Sequence, residues 1–291
     1  MSAPRFGCVV LTQGGRPEVL RVALESLLGQ EGVEVDVVVV GNAWEPEGLP
    51  EGVRGVGLSD DVGIPGGRNA GVPHARGEFL FFLDDDASLE RPDTLKRLAE
   101  LFDTQPDIGL VQLRVEPLEG GVGPRDWVPR LRTSTRTRSG DITLVWEGAV
   151  AMPRHVFDEI GGWDASYRFI HEGVDLAWRV MDRGYRVRYE ADLVALHPQP
   201  VPSPSRHHYS RYYGARNRVW MARRHLPLPL GVLYVATFAA RTLPLLLRSP
   251  GDIRPALRGY RAGMREPCGA RRKLRARTLV RMTRAGRPPI I

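Results

Sequence analysis

Cysteine is scarce. The 291 residues hold only Cys8 and Cys268, so at most one disulfide can form, and Cys8 falls inside an apolar run. A disulfide-stapled scaffold is excluded, and a reducing compartment is the simpler expectation. Residues 1–205 contain no apolar run long enough to span a bilayer. The opening Met1-Ser2-Ala3-Pro4-Arg5 leads straight into a strand, without the apolar stretch and small-residue cleavage site of a leader. Acidic residues almost vanish near the end: from Arg206 onward, 19 Arg and Lys273 face only Asp252 and Glu266, a net of +18. The whole chain carries +7, which leaves −11 on residues 1–205. An acidic body disfavours wrapping a nucleic acid, although the basic tail with Tyr209, Tyr212 and Tyr213 raises that alternative. Also missing is a Gly-x-Gly-x-x-Gly directly after the first strand. Thr12-Gln13-Gly14-Gly15-Arg16 has the wrong spacing, which disfavours a dinucleotide-binding oxidoreductase.

What is present centres on Gly77-Glu78-Phe79-Leu80-Phe81-Phe82-Leu83-Asp84-Asp85-Asp86-Ala87. Five consecutive apolar residues suit a strand buried on both faces, and the strand delivers three carboxylates to one point. Adjacent acids repel, so a folded protein needs positive charge there; for an all-oxygen set a hard divalent cation is the economical choice. In extended geometry Asp84 and Asp86 point the same way and Asp85 elsewhere. The competing interpretation is a solvated acidic turn.

The elements around it read as α/β. Phe6 to Thr12 is a buried strand, Glu18 to Gln30 a helix with a broad apolar stripe, and Val33 to Val40 a second strand stopped by Gly41-Asn42. Strand, helix and strand within about 40 residues make a βαβ unit and a parallel sheet. Gly55 to Leu58 is a short third strand, and Asp60 to Gly71 a glycine-rich loop opening a short helix. Ligands of open parallel sheets sit at the carboxyl ends of strands, where Thr12, Asn42 and Asp84 to Asp86 fall. Beyond them the pattern predicts a helix over Pro92 to Phe102, a strand over Ile108 to Leu113 and a mobile loop between Glu116 and Gly140. Strand-like alternation returns over Asp141 to Met152, followed by a helix from Pro153 to Ile160 and a tight corner at Gly161-Gly162-Trp163-Asp164. A helix opens around His171-Glu172-Gly173-Val174-Asp175, and two short strands cover Tyr185 to Tyr189 and Leu193 to His197.

Past Pro200 the character changes. Tyr209 to His225 carries aromatic and basic residues at helical spacing, and Leu226 to Leu247 is strongly apolar but holds Arg241 and three prolines. A central Arg costs about 2.5–3.5 kcal/mol on insertion, so a helix lying in the membrane interface is favoured over a clean span. Arg254 to Arg287 suits anionic lipid headgroups, with an ordinary solvated basic face as the alternative.

Taken in order, these pieces carry a resemblance. The strand end at Thr12, Gly63-x-x-Gly66-Gly67-Arg68-Asn69-x-Gly71, Asp84-Asp85-Asp86, Gly161-Gly162-Trp163-Asp164, Glu172-Gly173-Val174-Asp175-Leu176 and His197-Pro198 together resemble the family 2 glycosyltransferases of the GT-A fold. The likeness is to the bacterial rhamnosyl- and galactofuranosyl-transferase branch and covers about residues 5–200. It implies a Rossmann-like, mostly parallel sheet flanked by helices over residues 1–205, with a basic, helical, membrane-associating region over 206–291.

The resemblance further implies inverting transfer of a sugar from a UDP-, dTDP- or GDP-linked donor to an acceptor hydroxyl on a glycan or lipid-linked acceptor. The setting it implies is cell-envelope synthesis, in the cytoplasm and peripheral on the inner face of the membrane. Asp84 and Asp86 match the Asp-x-Asp motif that holds Mg2+ or Mn2+, with His197 as third ligand. Thr12, Asn42, Asp61, Gly66, Gly67, Arg68 and Asp85 are donor-side candidates, and the Gly41-Asn42 pair departs from the usual Asp there. Trp163, Asp164 and His171 fall on the acceptor side, with Trp163 either a sugar platform or core. The acceptor must lose a proton, so a carboxylate base is expected. The position that is usually Asp is Gly173, which leaves Glu172 or Asp175, with His171 as a third choice. It also leaves open a catalytically degenerate member that binds a nucleotide sugar or a lipid surface without turnover. The Glu116 to Gly140 segment is expected to close over the site.

Overall fold

The computed structural model describes residues 3–129, 135–199 and 204–290, without the side chains of 204–207. One nine-stranded sheet organises the chain. Its strands are β1 (Arg5–Thr12), β2 (Glu34–Asn42), β3 (Val53–Leu58), β4 (Phe79–Asp84), β5 (Ser88–Leu89), β6 (Ile108–Pro117), β7 (Gly140–Asp141), β8 (Ala149–Pro153) and β9 (Arg186–His197). They run in the order β3-β2-β1-β4-β8-β6-β9-β5, with β7 also paired to β9. Strands β1 to β4 pair in parallel, as the βαβ pattern predicts, and β6 runs parallel to β9. Strand β8 is antiparallel between β4 and β6, and β5 and β7 are antiparallel on β9.

Period-two alternation divides the apolar run of β4 between two cores. Leu80 and Phe82 join Val9, Val38 and Trp163 on one face, while Phe79, Phe81 and Leu83 join Phe6, Cys8 and Leu24 on the other. Burying one such side chain contributes about 1.5–3 kcal/mol, which is why the run admits nothing polar. Both cysteines are buried and free.

Helices α1 (Pro17–Leu28), α2 (Gly63–Gly71), α3 (Thr94–Thr104), α4 (Arg154–Ile160) and α5 (Glu172–Arg183) accompany the sheet. The glycine-rich stretch is itself helical from Gly63, so Gly66 and Gly67 lie within α2. A Cβ at Gly67 would stand 2.3 Å from Leu11 Cδ1, so that glycine lets α2 lie close on β1. The two short strands expected late in the chain are one, β9, whose pairing with β6 shifts register between Leu113 and Arg114; the irregularity interrupts the apolar alternation that marks a single strand. The strand expected over Asp141 to Met152 is instead β7, a crossing segment and β8.

The C-terminal part forms α6 (Pro204–His225), α7 (Leu228–Arg248), α8 (Ile253–Arg265) and α9 (Ala276–Arg284). Trp220, Met221, Leu226, Tyr234, Cys268, Leu274 and Met282 enter the same core as Trp178 and Tyr189. The tail is therefore seated on the body. Gly259 and Gly263 make this possible for α8: a Cβ at either would press on backbone, 2.2 Å from Tyr212 O and 2.8 Å from Arg216 O.

Candidate functional site

Sheet register brings the polar ends together. Leu11 pairs with Asp84, Thr12 with Gly41, Leu83 with Ala149 and Pro117 with His197. The carboxyl ends of β1, β2, β4, β6 and β9 and the entry into β8 thus share one edge, where an open α/β sheet binds ligands.

Asp84, the last residue of β4, and Asp86, in the turn after it, converge with His197 at the end of β9, one ligand atom of each lying within 4.8 Å of the others. His197 Nε2 is 3.0 Å from Asp86 Oδ1 and 3.8 Å from Asp84 Oδ2. Its Nδ1 donates to Pro198 O at 2.6 Å, which turns Nε2 toward the two carboxylates. Trp127 and Trp146 flank the imidazole edge-on, with ring centroids 5.1 and 5.2 Å away. Both are set by Gln112, which donates to Trp127 O and accepts from Trp146 N–H. Two carboxylates and an oriented imidazole make a donor set that fits Mg2+ or Mn2+. Burial alone would raise the Asp86 carboxyl, but His197 and Arg16 outweigh it and hold it at about 2. Asp86 is thus an anion at any physiological pH.

Asp85 points away, as alternation predicts. It accepts from Thr12 Oγ1 at 2.6 Å and from Arg16 at 2.8 Å, while Arg16 also reaches Asp86 at 2.6 Å. Arg16 drew no notice in the sequence because its partners lie about 70 residues away. Asn42 donates to Asp61 at 2.7 Å and accepts from Val62 N–H, and Asp61 also accepts from Gly63 N–H. These contacts tie the end of β2 to the start of α2 beside the same edge.

Five expected positions have other surroundings. Arg68 is 2% exposed, so its guanidinium is not offered to a ligand. It donates to Asp84 at 2.7 Å from beneath and lies over the Trp163 ring at 5.0 Å. Trp163 is core, edge-on to Phe82, and is no sugar platform. Asp164 caps the turn at Ser166 and pairs with Arg224 of α6 at 2.7 Å. Asp175 is 1% exposed and locked between Arg179 (2.6 Å) and His225 (2.7 Å), so it has no path to a substrate proton. These partners outweigh burial and hold its carboxyl well below the usual carboxylate range. His171, in a left-handed conformation at the start of α5, is buried, and burial beside Arg218 lowers it to about 3.

Glu172 is buried as well. Burial and the neighbouring charge of Glu147 raise it to about 8. Glu147, on the segment entering β8, was missed in the sequence. It is half-buried, and its Oε1 accepts from Gly173 N–H at 2.6 Å. No local signal marks it, because its neighbours come from β4 and α5.

The loop expected between Glu116 and Gly140 is partly structured. β6 runs to Pro117, a short turn of helix spans Arg125–Trp127, and Trp127 is buried against the cluster; residues 130–134 of that expected lid lie outside the described residues.

The sequence profile described as Glycosyl transferase family 2 matches residues 8–161, more than half of the chain. The Succinoglycan biosynthesis protein ExoO of Rhizobium meliloti is 39% identical over 125 residues, 40% of this chain and 35% of that protein. The O-antigen biosynthesis protein RfbC of Myxococcus xanthus is 28% identical over 209 residues, 62% of this chain and 16% of that one. The chain thus spans only a minor part of these curated relatives. Among solved structures, the mannosyltransferase PcManGT from Pyrobaculum calidifontis, in complex with GDP-Man and Mn2+, superposes with a TM-score of 0.58 at 20% identity, over 98% of this chain and 85% of that one. GalNAc-T7 with UDP, GalNAc and Mn2+ gives 0.56 at 16% identity, over 75% and 51%. These likenesses establish a shared fold.

Proposed function

The chain belongs to glycosyl transferase family 2, and on that premise we propose that it moves a sugar from a nucleotide-diphosphate donor to an acceptor hydroxyl, with inversion, in the synthesis of a cell-envelope polysaccharide or glycolipid. The observation that carries this is the convergence of Asp84, Asp86 and His197 at the carboxyl edge of the sheet. The relatives' roles in succinoglycan and O-antigen biosynthesis support the product class, and the nucleotide sugars and Mn2+ bound by structural neighbours support the donor class.

A Mg2+ or Mn2+ ion, when bound, neutralises the charge that develops on the departing diphosphate. Asp84, Asp86 and His197 would hold it. Arg68 fixes Asp84 from below, and Arg16, joined to Asp85 and Asp86, supplies a cation on the open side. Thr12, Asn42, Asp61 and Asp85 border the nucleoside side. Inversion follows if the acceptor oxygen attacks the anomeric carbon opposite the leaving diphosphate in one displacement.

The C-terminal helices provide a face for a membrane. Leu228, Val232, Leu243 and Leu247 of α7 and Leu257 and Met264 of α8 are exposed, next to exposed Arg254, Arg258, Arg261 and Arg265. Helix α7 is long and apolar enough to cross a membrane by length and composition, with a mean hydropathy of 1.7, but Arg241 and Pro244 lie within it. A helix lying on the cytoplasmic leaflet, near a lipid-linked acceptor, accommodates both.

Calorimetric titration of UDP, GDP and dTDP, each with Mn2+ and with EDTA, tests the donor site. Binding of one nucleotide only with metal is the expected result. No binding under either condition would remove the transferase reading.

A further inference from the structure

We propose that Glu147 is the carboxylate that takes the acceptor's proton, and that residue 173 is glycine because this side chain, delivered by the segment before β8, passes over it. The inference rests on the transferase reading and adds a residue to that site.

The carboxylates at the sheet edge can be sorted by what already holds them. Asp84 and Asp86 face the cation position, Asp85 is held by Thr12 and Arg16, and Asp61 by Asn42 and the Gly63 amide. Asp164 is paired with Arg224 and Asp175 with Arg179 and His225. Glu172 is 3% exposed, and its Oε2 is buried with no partner. Glu147 differs from all of these: it is half-buried, and its Oε1 accepts from a backbone amide, that of Gly173, with Arg68 as the nearby positive charge.

Its position follows from the backbone around it. Gly148 O accepts from Asp84 N–H at 2.9 Å, and a Cβ on Gly148 would stand 2.8 Å from Asp84 Oδ2, so Glu147 is one residue from a strand end that holds the cation cluster. On its other side it meets the first turn of α5, where the Gly173 amide is free to donate and favours a carboxylate anion. A Cβ at 173 would lie 2.3 Å from Glu147 Oε1 and 2.5 Å from Val145 O. A side chain on residue 173 and this path of the 142–148 segment exclude each other. The carboxylate that α5 lacks at position 173 is thus replaced in space by one from a different part of the chain.

Burial raises both carboxyls, Glu172 to about 8 with the neighbouring charge of Glu147 adding to it, while Arg68 and the Gly173 amide favour the anion at Glu147. In the step, the acceptor O–H proton passes to the Glu147 carboxylate as the acceptor oxygen bonds to the anomeric carbon. The bond from that carbon to the diphosphate oxygen breaks, its electron pair leaves on the diphosphate, and Glu147 later releases the proton to water.

The test compares wild type, Glu147→Gln, Glu147→Ala and Glu172→Gln for cleavage of UDP-, GDP- and dTDP-sugars and for Mn2+-dependent binding of the matching nucleotide. Glu147→Gln should lose roughly 10²–10⁴-fold in turnover with nucleotide affinity unchanged, Glu147→Ala should regain turnover with added formate, and Glu172→Gln should keep most of its activity. Turnover of Glu147→Gln within about tenfold of wild type, or a nucleotide affinity lost in parallel with turnover, would overturn the assignment. A wild-type protein that cleaves none of the donors would instead sink the transferase reading itself, and with it this role.

Discussion

Asp175 was a candidate base by sequence, and the structure makes it a buried counter-ion, which a single substitution can decide. Asp175→Asn keeps the shape but removes the charge between Arg179 and His225. Arg179 Nη1 also donates to Ile160 O and Gly162 O, at 2.9 and 2.7 Å, and His225 closes α6 next to the core residue Leu226. The ion pair therefore joins the Gly161-Gly162 corner, α5 and α6. Both side chains facing Asp175 are largely buried, at 10% and 2% exposure, so the guanidinium would be left without a counter-charge in low dielectric. Removing one member of such a pair costs about 3–5 kcal/mol. For a chain of 291 residues that lowers Tm by roughly 5–8 °C. The assay is thermal unfolding followed by circular dichroism, beside Mn2+-dependent nucleotide binding well below Tm. Because the folded carboxyl titrates below its unfolded value, its contribution is complete above about pH 4 and fades as pH falls. The gap between wild type and Asp175→Asn should therefore narrow toward acid pH. An unchanged Tm together with lost turnover would refute this reasoning and return Asp175 to the chemistry.

Asp86→Ala should abolish the metal-dependent part of nucleotide binding in calorimetry while leaving the fold intact, since Asp86 lies in a turn outside both cores; undiminished metal-dependent binding would disprove its role. Glu172→Gln imitates the protonated acid. Wild type loses stability as pH rises from about 4, where the unfolded carboxyl ionises, to about 8, where the folded one does, and the variant escapes that loss. Its advantage in chemical denaturation should therefore grow across that window, and parallel pH profiles would contradict it. Leu243→Glu with Leu247→Glu, both on exposed positions of α7, should weaken sedimentation with anionic vesicles with Tm shifted by less than about 2 °C. Equal sedimentation would remove the membrane face. Deleting residues 226–291 is not a clean form of that experiment, because Tyr234, Leu274 and Met282 would leave the core.

Features carried by contiguous residues were legible in the sequence. The βαβ order, the doubly buried β4 and the divergence of Asp85 from Asp84 and Asp86 follow from period-two geometry and apolar runs. His197 was reachable too, because it ends a strand in a recognisable order of motifs. Tertiary structure decided what depends on neighbours distant in the chain. Trp163 is as apolar on a sugar-binding face as in a core, and only Phe82 and Arg68 packed against it settle which. The stretch from Tyr209 to His225 reads only as aromatic and basic residues at helical spacing, yet Arg216, Arg218 and Arg224 are buried over aromatic rings. A planar guanidinium can exchange water for π-faces and carbonyls once folding supplies them. Glu147 gave no local sign, since a glutamate before a glycine has no periodicity and its meaning comes from Gly173, 26 residues on. Composition and spacing determine which elements form; the low dielectric created when they pack decides which carboxylates stay charged and which keep their protons.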